Sequence, residues 1–366
     1  KYKMSNIEDL PIDIQKQINV LHKNKYSEPP CLNTSMKYIL NDSLYAISVL
    51  CATIALDGYI NPTLLFIGYS IVMGTVCMGF WVLGHECGHG AFAPTQFQND
   101  TIGFILHSSL LVPYFSWKNS HKKHHKYTNH LTLGETHVPL LKNELTHTKI
   151  LHDKIGEDAF AIFNIFNHLI FGWPAYLFDN TTGGRTQYDL KTEIDPTQWK
   201  DHFHSNSQVM KTGDYKIELS TLGCLTTIYI LWKTLGWSSF YWYVGPYIIV
   251  NCWLVLYTWL QHTNPNVPHY GSDSFTFIKG ALSTIDRPYP TIIDHLHHHI
   301  GTTHVAHHLK YNVPHYRAQK FTKDLKHILE KHYTYDPTPI FNAIIKVAKN
   351  CHYVDDLNGK QYYKKF

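Results

Sequence analysis

Eight histidines stand in three short clusters along this 366-residue chain. The clusters are HECGH at 85–89, HKKHH at 121–125 and HVAHH at 304–308. In each cluster two histidines lie four residues apart, a spacing that places their side chains on one face of a helix. Neutral imidazole is the commonest metal ligand, and eight rings exceed what one ion needs. The sequence therefore predicts a site for two metal ions, with ligands His85, His89, His121, His124, His125, His304, His307 and His308.

Four further residues are expected beside this ligand set. His262 follows a long apolar segment, where it would complete an unequal set of four plus five ligands. Glu86, His298 and His299 are expected to hold the ligands through hydrogen bonds rather than to bind metal. The isolated histidines elsewhere in the chain are interpreted as solvated or hydrogen-bonded side chains.

The first cluster also satisfies the H-E-x-x-H pattern of zinc peptidases, in which Glu86 would be the general base. A zinc peptidase needs two such histidines and one more ligand, so the other two clusters would have no role. An all-imidazole pair of metals with open positions suits iron and oxygen chemistry better than zinc hydrolysis. Oxidation of an unactivated C–H bond in a lipid is the reaction that such a centre would serve.

The composition narrows the class of protein. Charged residues make up 16% of the chain, against about a quarter in soluble domains. The mean hydropathy of −0.23 indicates that only a minority of the chain lies in a membrane. The net charge of +4 is not gathered into one basic stripe, which disfavours nucleic-acid binding. The seven cysteines show no paired spacing, which favours reduced, buried thiols over a disulfide framework.

The predicted fold is an all-α membrane protein with four transmembrane helices in two hairpins. The N-terminal arm at 1–37 carries six lysines, whereas the hairpin turns carry no Lys or Arg, so the positive-inside rule places both termini in the cytosol. All three histidine clusters then share a helical cytosolic cap on a main domain at 38–350, which a tail at 351–366 follows. The predicted spans are about 44–60, 63–83, 219–235 and 240–260.

One more apolar segment, 159–178, would reverse this topology if it crossed the membrane, because the third cluster would then lie opposite the other two. Its polar residues and its proline favour a helix lying in the membrane interface instead. These residues are Asn164, Asn167, His168 and Pro174.

The ordered clusters resemble the three histidine boxes of the membrane fatty acid desaturases. The likeness is greatest to the branch of delta-12 (omega-6) and omega-3 acyl-lipid desaturases, and it covers residues from about 36 to 350. The flanking blocks that support it are LLVPYFSWKNSHKKHHKYTNH at 110–130, GWPAYLFDNTTGGR at 172–185, WLQHTNPNVPHY at 259–270 and GALSTIDRPY at 280–289.

The resemblance implies a non-haem di-iron enzyme of the endoplasmic reticulum. Such an enzyme uses O2, and electrons from a separate cytochrome b5 and its reductase, to insert a cis double bond into an acyl-lipid or acyl-CoA. The eight clustered histidines match the iron ligands of the family, and His262 is similar to an additional histidine before the third box. The chain end YYKKF at 362–366 resembles a retention signal.

The position of the new double bond stays open between two branches. HVAHH is typical of delta-12 members, which convert oleoyl to linoleoyl chains, while HHHIG at 297–301 is closer to omega-3 (delta-15) members. A hydroxylase or an acetylenase with the same centre is an alternative. A membrane metal-binding or transport protein is a remote one, since the spans 63–83 and 240–260 contain no ionisable Asp, Glu, Lys, Arg or His.

Overall fold

The computed structural model describes residues 11–184 and 199–366, and helices dominate both ranges. Residues 1–10 of the predicted N-terminal arm, with Lys1 and Lys3, lie outside the described residues, as does Arg185 of the block at 172–185. The helices are α1 (Ile12–Lys25), α2 (Leu32–Leu56), α3 (Pro62–Gly88), α4 (Gln96–Ser109), α5 (Tyr114–Lys126), α6 (Thr146–Ile155), α7 (Glu157–Asp179), α8 (Tyr215–Leu235), α9 (Gly245–His262), α10 (Phe277–Leu282), α11 (Thr291–Leu296), α12 (His304–Leu309), α13 (His315–Leu329) and α14 (Ile340–Asn350).

Three helices of the described ranges are long and apolar enough to cross a membrane, namely Leu32–Leu56, Pro62–Gly88 and Phe240–His262. The last of these joins α9 to a π-helical turn at Phe240–Val244. The predicted membrane-embedded, mostly helical class is therefore confirmed. The first helix begins twelve residues before the predicted span at 44, because its N-terminal turns are polar and leave no hydropathy signal.

The third predicted span, at 219–235, coincides with α8, which is a continuous helix with exposed apolar side chains such as Leu222, Leu225 and Ile228. It is not among the three helices that meet the length and composition of a span, so its crossing of the membrane stays a prediction. Helix α7 forms on the segment expected to lie in the interface, and its depth in the membrane stays a prediction too.

The core of the membrane part is the contact of α3 with α9. Helix α3 begins with Pro62 in its first turn, and the side chain of Asn61 accepts hydrogen bonds from the amides of Thr63 and Leu64. Gly74 allows the close approach, because a side-chain carbon there would lie 2.5 Å from the Cβ of Ile249. The buried contact of these two helices joins one apolar core that includes Met78, Trp81, Val82, Val250 and Leu254.

Short strands tie the tail onto the rest of the chain. Strand β1 (Leu140–Leu141) pairs in parallel with β3 (Tyr353–Val354), and β2 (His269–Tyr270) pairs antiparallel with β4 (Lys360–Gln361). Such two-residue pairings contribute little by themselves, so the tail is held mainly by what its side chains contact.

Candidate metal centre

The first histidine cluster lies at the C-terminal end of α3. His85 and His89 are one turn apart there, and Gly90 follows with a φ of 69°, a left-handed conformation that ends the helix. Gly84 and Gly88 leave room for neighbouring rings, since a Cβ at Gly84 would lie 2.2 Å from the imidazole of His107. The end of α3 is thereby brought against α4 and α5.

The other two clusters lie on short helices that tertiary contacts hold in place. The second cluster lies in the last two turns of α5, and the third fills the first five of the six residues of α12. A helix this short is not stable alone. The carboxylate of Asp286, which is fully buried, accepts a hydrogen bond of 2.9 Å from the amide of Val305 and so anchors the first turn of α12.

The clusters converge into two groups. In the first, five imidazoles place one ring nitrogen each within 4.8 Å of one another, and successive Nε2 atoms are 3.0–3.2 Å apart. We call this the outer group, because two of its rings, His89 and His121, are only partly buried. Its members are His85, His89, His121, His125 and His307.

The second set, which we call the inner group, is buried throughout. His124, His262 and His308 meet the same 4.8 Å criterion. The Nε2 atom of His304 lies 3.0 Å from that of His262, which adds a fourth ring. The structure thus brings together all eight clustered histidines and His262, in a division of five and four.

The rings are held in the neutral form that a metal requires. Burial lowers the pKa of His124 and of His307 to about 3, and it holds the pKa of His125 and His308 well below the usual range. A neutral imidazole keeps one nitrogen lone pair free for a metal. His89, His121 and His125 each place one Nε2 against two others, and a neutral Nε2 either donates or accepts but cannot do both, so a shared cation fits these contacts better than hydrogen bonds do.

Unpaired nitrogens support the same conclusion. The Nδ1 atom of His308 lies 3.0 Å from the hydroxyl of Thr128, while its buried Nε2 has no hydrogen-bond partner among the described residues. A buried polar atom without a partner costs about 1–3 kcal/mol, and a bound metal would remove that cost. A donor set made of imidazole alone suits a transition metal rather than calcium or magnesium. The residues present therefore fit a metal centre.

Glu86 contacts the outer group through the Nδ1 atom of His85. One carboxylate oxygen lies 3.2 Å from the Nδ1 of His85, and the other accepts a hydrogen bond of 3.0 Å from the amide of His315. The Nδ1 contact turns the Nε2 of His85 toward the other histidines. Glu86 is thus placed to orient a ring, and the same carboxylate also ties α13 to α3.

His298 and His299 lie farther out. The Nε2 of His298 is 2.8 Å from the carboxylate of Asp42, and the Nδ1 of His299 is 2.7 Å from that of Asp294. Within residues 11–184 and 199–366, neither ring has a hydrogen bond to a histidine of either group. Both residues have a left-handed backbone, with φ of 51° and 65°.

An apolar cavity adjoins both groups. Histidines of each group form part of its wall, and α7 and α9 supply most of the rest. Sequence reasoning did not identify these lining residues, because both helices are apolar on more than one face and no motif marks the cavity side. They include Met78, Trp81, Trp173, Tyr176, Leu254, Val255, Tyr257 and Thr258.

A second cavity opens from the surface onto the outer group. It reaches His89, His121 and His125, and Tyr311 stands at its rim with 44% of its surface exposed. The lysines around it are Lys118, Lys122 and Lys126. Lys123, next to Lys122 in the chain, instead lies 3.5 Å from the buried carboxylate of Glu135.

Comparison with known proteins agrees with this geometry. The model of the fatty acid desaturase family matches residues 62–338. A Delta(12) fatty acid desaturase of Mortierella alpina is 36% identical over 90% of this chain and 85% of its own. One of Calendula officinalis is 41% identical over 78% of this chain and 73% of its own. An oleoyl-12-hydroxylase of Ricinus communis is 36% identical over 82% and 76% of the two chains.

The chain therefore belongs to the fatty acid desaturase family. It is a membrane enzyme, an oxidoreductase that acts on acyl lipids. This assignment replaces both the zinc peptidase and the metal-transport alternatives, and it gives all three histidine clusters one shared role.

Proposed function

We propose that the protein inserts a cis double bond at the delta-12 position and so converts oleoyl to linoleoyl chains. The observation that carries the proposal is the apolar cavity whose wall contains histidines of both groups. An acyl chain in this cavity would contact both the outer and the inner histidine group. The curated relatives named as Delta(12) desaturases support the position of the double bond.

The cofactors proposed are two iron ions, one in the outer and one in the inner group, with O2 as co-substrate. Iron would supply the activation of O2 that removes one hydrogen from each of two adjacent carbons. In the balanced reaction, O2 combines with the two hydrogens taken from the acyl chain, two electrons from the donor and two protons to give two waters. The nine histidines would hold the ions, and Glu86 would orient the ring of His85, whose Nδ1 it contacts.

The remaining residues around the cavity bind and orient the chain. Trp81, Trp173 and Tyr257 give the acyl chain an apolar surface and exclude water from the reacting carbons. Since dispersion contacts with these rings do not depend on the head group, the cavity recognises the hydrocarbon rather than its carrier. Both an acyl-lipid and an acyl-CoA remain candidate substrates.

The electron donor proposed is a separate cytochrome b5 with its reductase, acting at the endoplasmic reticulum with the histidine groups and both termini in the cytosol. The basic rim of the second cavity supports this proposal. Its lysines lie around His89 and His121, the two histidines of the outer group that are partly exposed, and they are Lys118, Lys122 and Lys126. An acidic donor surface would be attracted there by charge.

Hydroxylation is the second candidate function. It is favoured by the relative named as an oleoyl-12-hydroxylase, which has the same 36% identity to this chain as the Mortierella alpina relative, over 82% of the chain instead of 90%. An omega-3 desaturase and an acetylenase would use the same centre. The outcome depends on where the chain lies between the two groups, so small changes in the cavity wall separate these activities.

Expression in a yeast that lacks polyunsaturated lipids tests these alternatives. We expect a new diene from endogenous oleate, identified by mass spectrometry of its fatty acids. A triene formed only from supplied linoleate would indicate an omega-3 enzyme, and a hydroxy acid would indicate a hydroxylase. If the protein is present in the membrane and no new acyl species forms, the proposed function is wrong.

A further inference from the structure

The tail at 351–366 forms a strap across the segment that follows the second histidine cluster. Strand β2 lies between them: the amide of Gly271 donates to the carbonyl of Gly359 in the tail over 2.8 Å. On its other edge, Leu131 donates to the carbonyl of Tyr270 over 2.9 Å. The end of the strap folds back, with the amide of Lys364 donating to the carbonyl of Tyr353 over 2.8 Å. The tail is therefore part of the folded domain.

Tyr363 connects this strap to residues that lie near the metal centre. Its ring stands edge-on to His269 at 5.1 Å, and its hydroxyl donates a hydrogen bond of 3.2 Å to the carbonyl of His137. The backbone of His137 is left-handed, with a φ of 52°, which is unusual for a residue other than glycine. Such a conformation persists only where neighbouring contacts hold it.

His137 in turn forms part of the wall of the apolar cavity. Its Nε2 lies 3.1 Å from the hydroxyl of Thr258, and its ring is nearly parallel to that of His262 at 6.4 Å. Thr136, His137, Thr258 and His262 all line the cavity. A displacement of the His137 backbone would therefore move the wall beside the inner group.

We propose that Tyr363 is a positioning residue for the reaction. By holding the strained backbone of His137, it fixes the cavity wall next to the inner group and so influences which carbon of the acyl chain is presented. The proposal rests on the proposed desaturase function. The tail then acts on the selection of product, besides any part it has in retaining the protein in its membrane.

Tyr363→Phe is the variant of choice, because it keeps the ring against His269 and removes only the hydroxyl. The matched control is Tyr362→Phe in the same strap, whose hydroxyl has no hydrogen bond to any described residue. In the yeast, we expect Tyr363→Phe to change the ratio of positional isomers of the C18 diene by about threefold at unchanged protein amount, the effect of one lost hydrogen bond. The control should match the unaltered enzyme.

A double-mutant cycle separates positioning from simple tethering. His137→Ala should change the product ratio in the same direction, and adding Tyr363→Phe to it should change the ratio no further, because Tyr363 acts through His137. Additive effects would overturn the proposal. So would a fall in protein amount with an unaltered product ratio, since that is the result expected of a merely structural tether.

Hydrogen–deuterium exchange gives a readout that does not depend on activity. Backbone amides in 130–141 should exchange faster in Tyr363→Phe than in the Tyr362→Phe control. Equal exchange would overturn the positioning role even if the enzyme formed no acyl product. Absence of product from the unaltered enzyme would instead count against the proposed function, so the two failures are distinguishable.

Discussion

The two histidine groups differ in their access to solvent although they are made of the same side chain. The outer group has two partly buried rings and lies under a cavity with a basic rim, whereas the inner group is buried on every ring. Both adjoin the apolar cavity. Under the proposed function, this difference predicts that electrons enter at the outer group and that the inner group is reached from the apolar cavity.

Removal of a ligand from either group tests whether both are needed. We expect His121→Ala in the outer group and His124→Ala in the inner group each to lower activity by more than about 100-fold, because each leaves a metal site one ligand short. Bound iron, measured by mass spectrometry, should fall in both. His327→Ala, on an exposed face of α13, is the control. Full activity in His124→Ala would make the inner group structural.

The side chains that contact the Nδ1 atoms of the two histidine groups differ in charge. A carboxylate holds His85 in the outer group, whereas a hydroxyl, that of Thr128, contacts His308 in the inner group. Glu86→Gln should weaken metal retention by about 10–100-fold, and Thr128→Ala should weaken it less. Titration of each purified variant with a chelator, followed by iron analysis, measures this. An equal loss in the two variants would contradict the role given to the carboxylate.

Solvent access predicts the order in which metal is lost. A hydrophilic chelator should remove one half of the iron about tenfold faster than the other, since the inner rings need a local opening of the fold before they are exposed. The time course of iron release from the unaltered enzyme shows this as two phases. A single phase would mean that the two groups open together.

The smallest effect is expected at the basic rim. Lys122→Glu should raise the KM for a soluble cytochrome b5 domain by about threefold at low ionic strength, and the difference should shrink at high salt because screening weakens charge attraction. Lys154→Glu on α6 makes the same change of charge elsewhere on the surface. If both variants behave alike, the donor docks on a different face.

The sequence predicts that the three histidine clusters come together, but it does not predict how the nine histidines divide between the two groups. Spacing of three and four residues predicts a shared helical face, yet His124 and His125 belong to different groups, as do His307 and His308. Successive residues on a helix point about 100° apart, so the group of each ring depends on which helix lies opposite. That is a tertiary property, and no local pattern contains it.

The position of Lys123 and the path of the tail are also set by tertiary contacts that no local sequence pattern contains. The three lysines near the second cluster look equivalent in sequence, but a buried carboxylate 12 residues later pairs with Lys123. The strands of the strap are two residues long, which is too short for an alternation of apolar and polar residues to predict them. Long apolar helices, by contrast, depend on composition over many residues, and three of them were located from hydropathy.

The six-residue length of α12 has a consequence for biosynthesis. A helix this short cannot form before its surroundings do, and its histidines must meet partners that are 42 residues earlier in the chain for His304 and some 180 to 220 residues earlier for His307. The last cluster to be synthesised thus completes both groups at once. Iron supplied while the chain is being made would therefore act as a folding ligand, and cells short of iron should accumulate less of the protein rather than an intact, metal-free form.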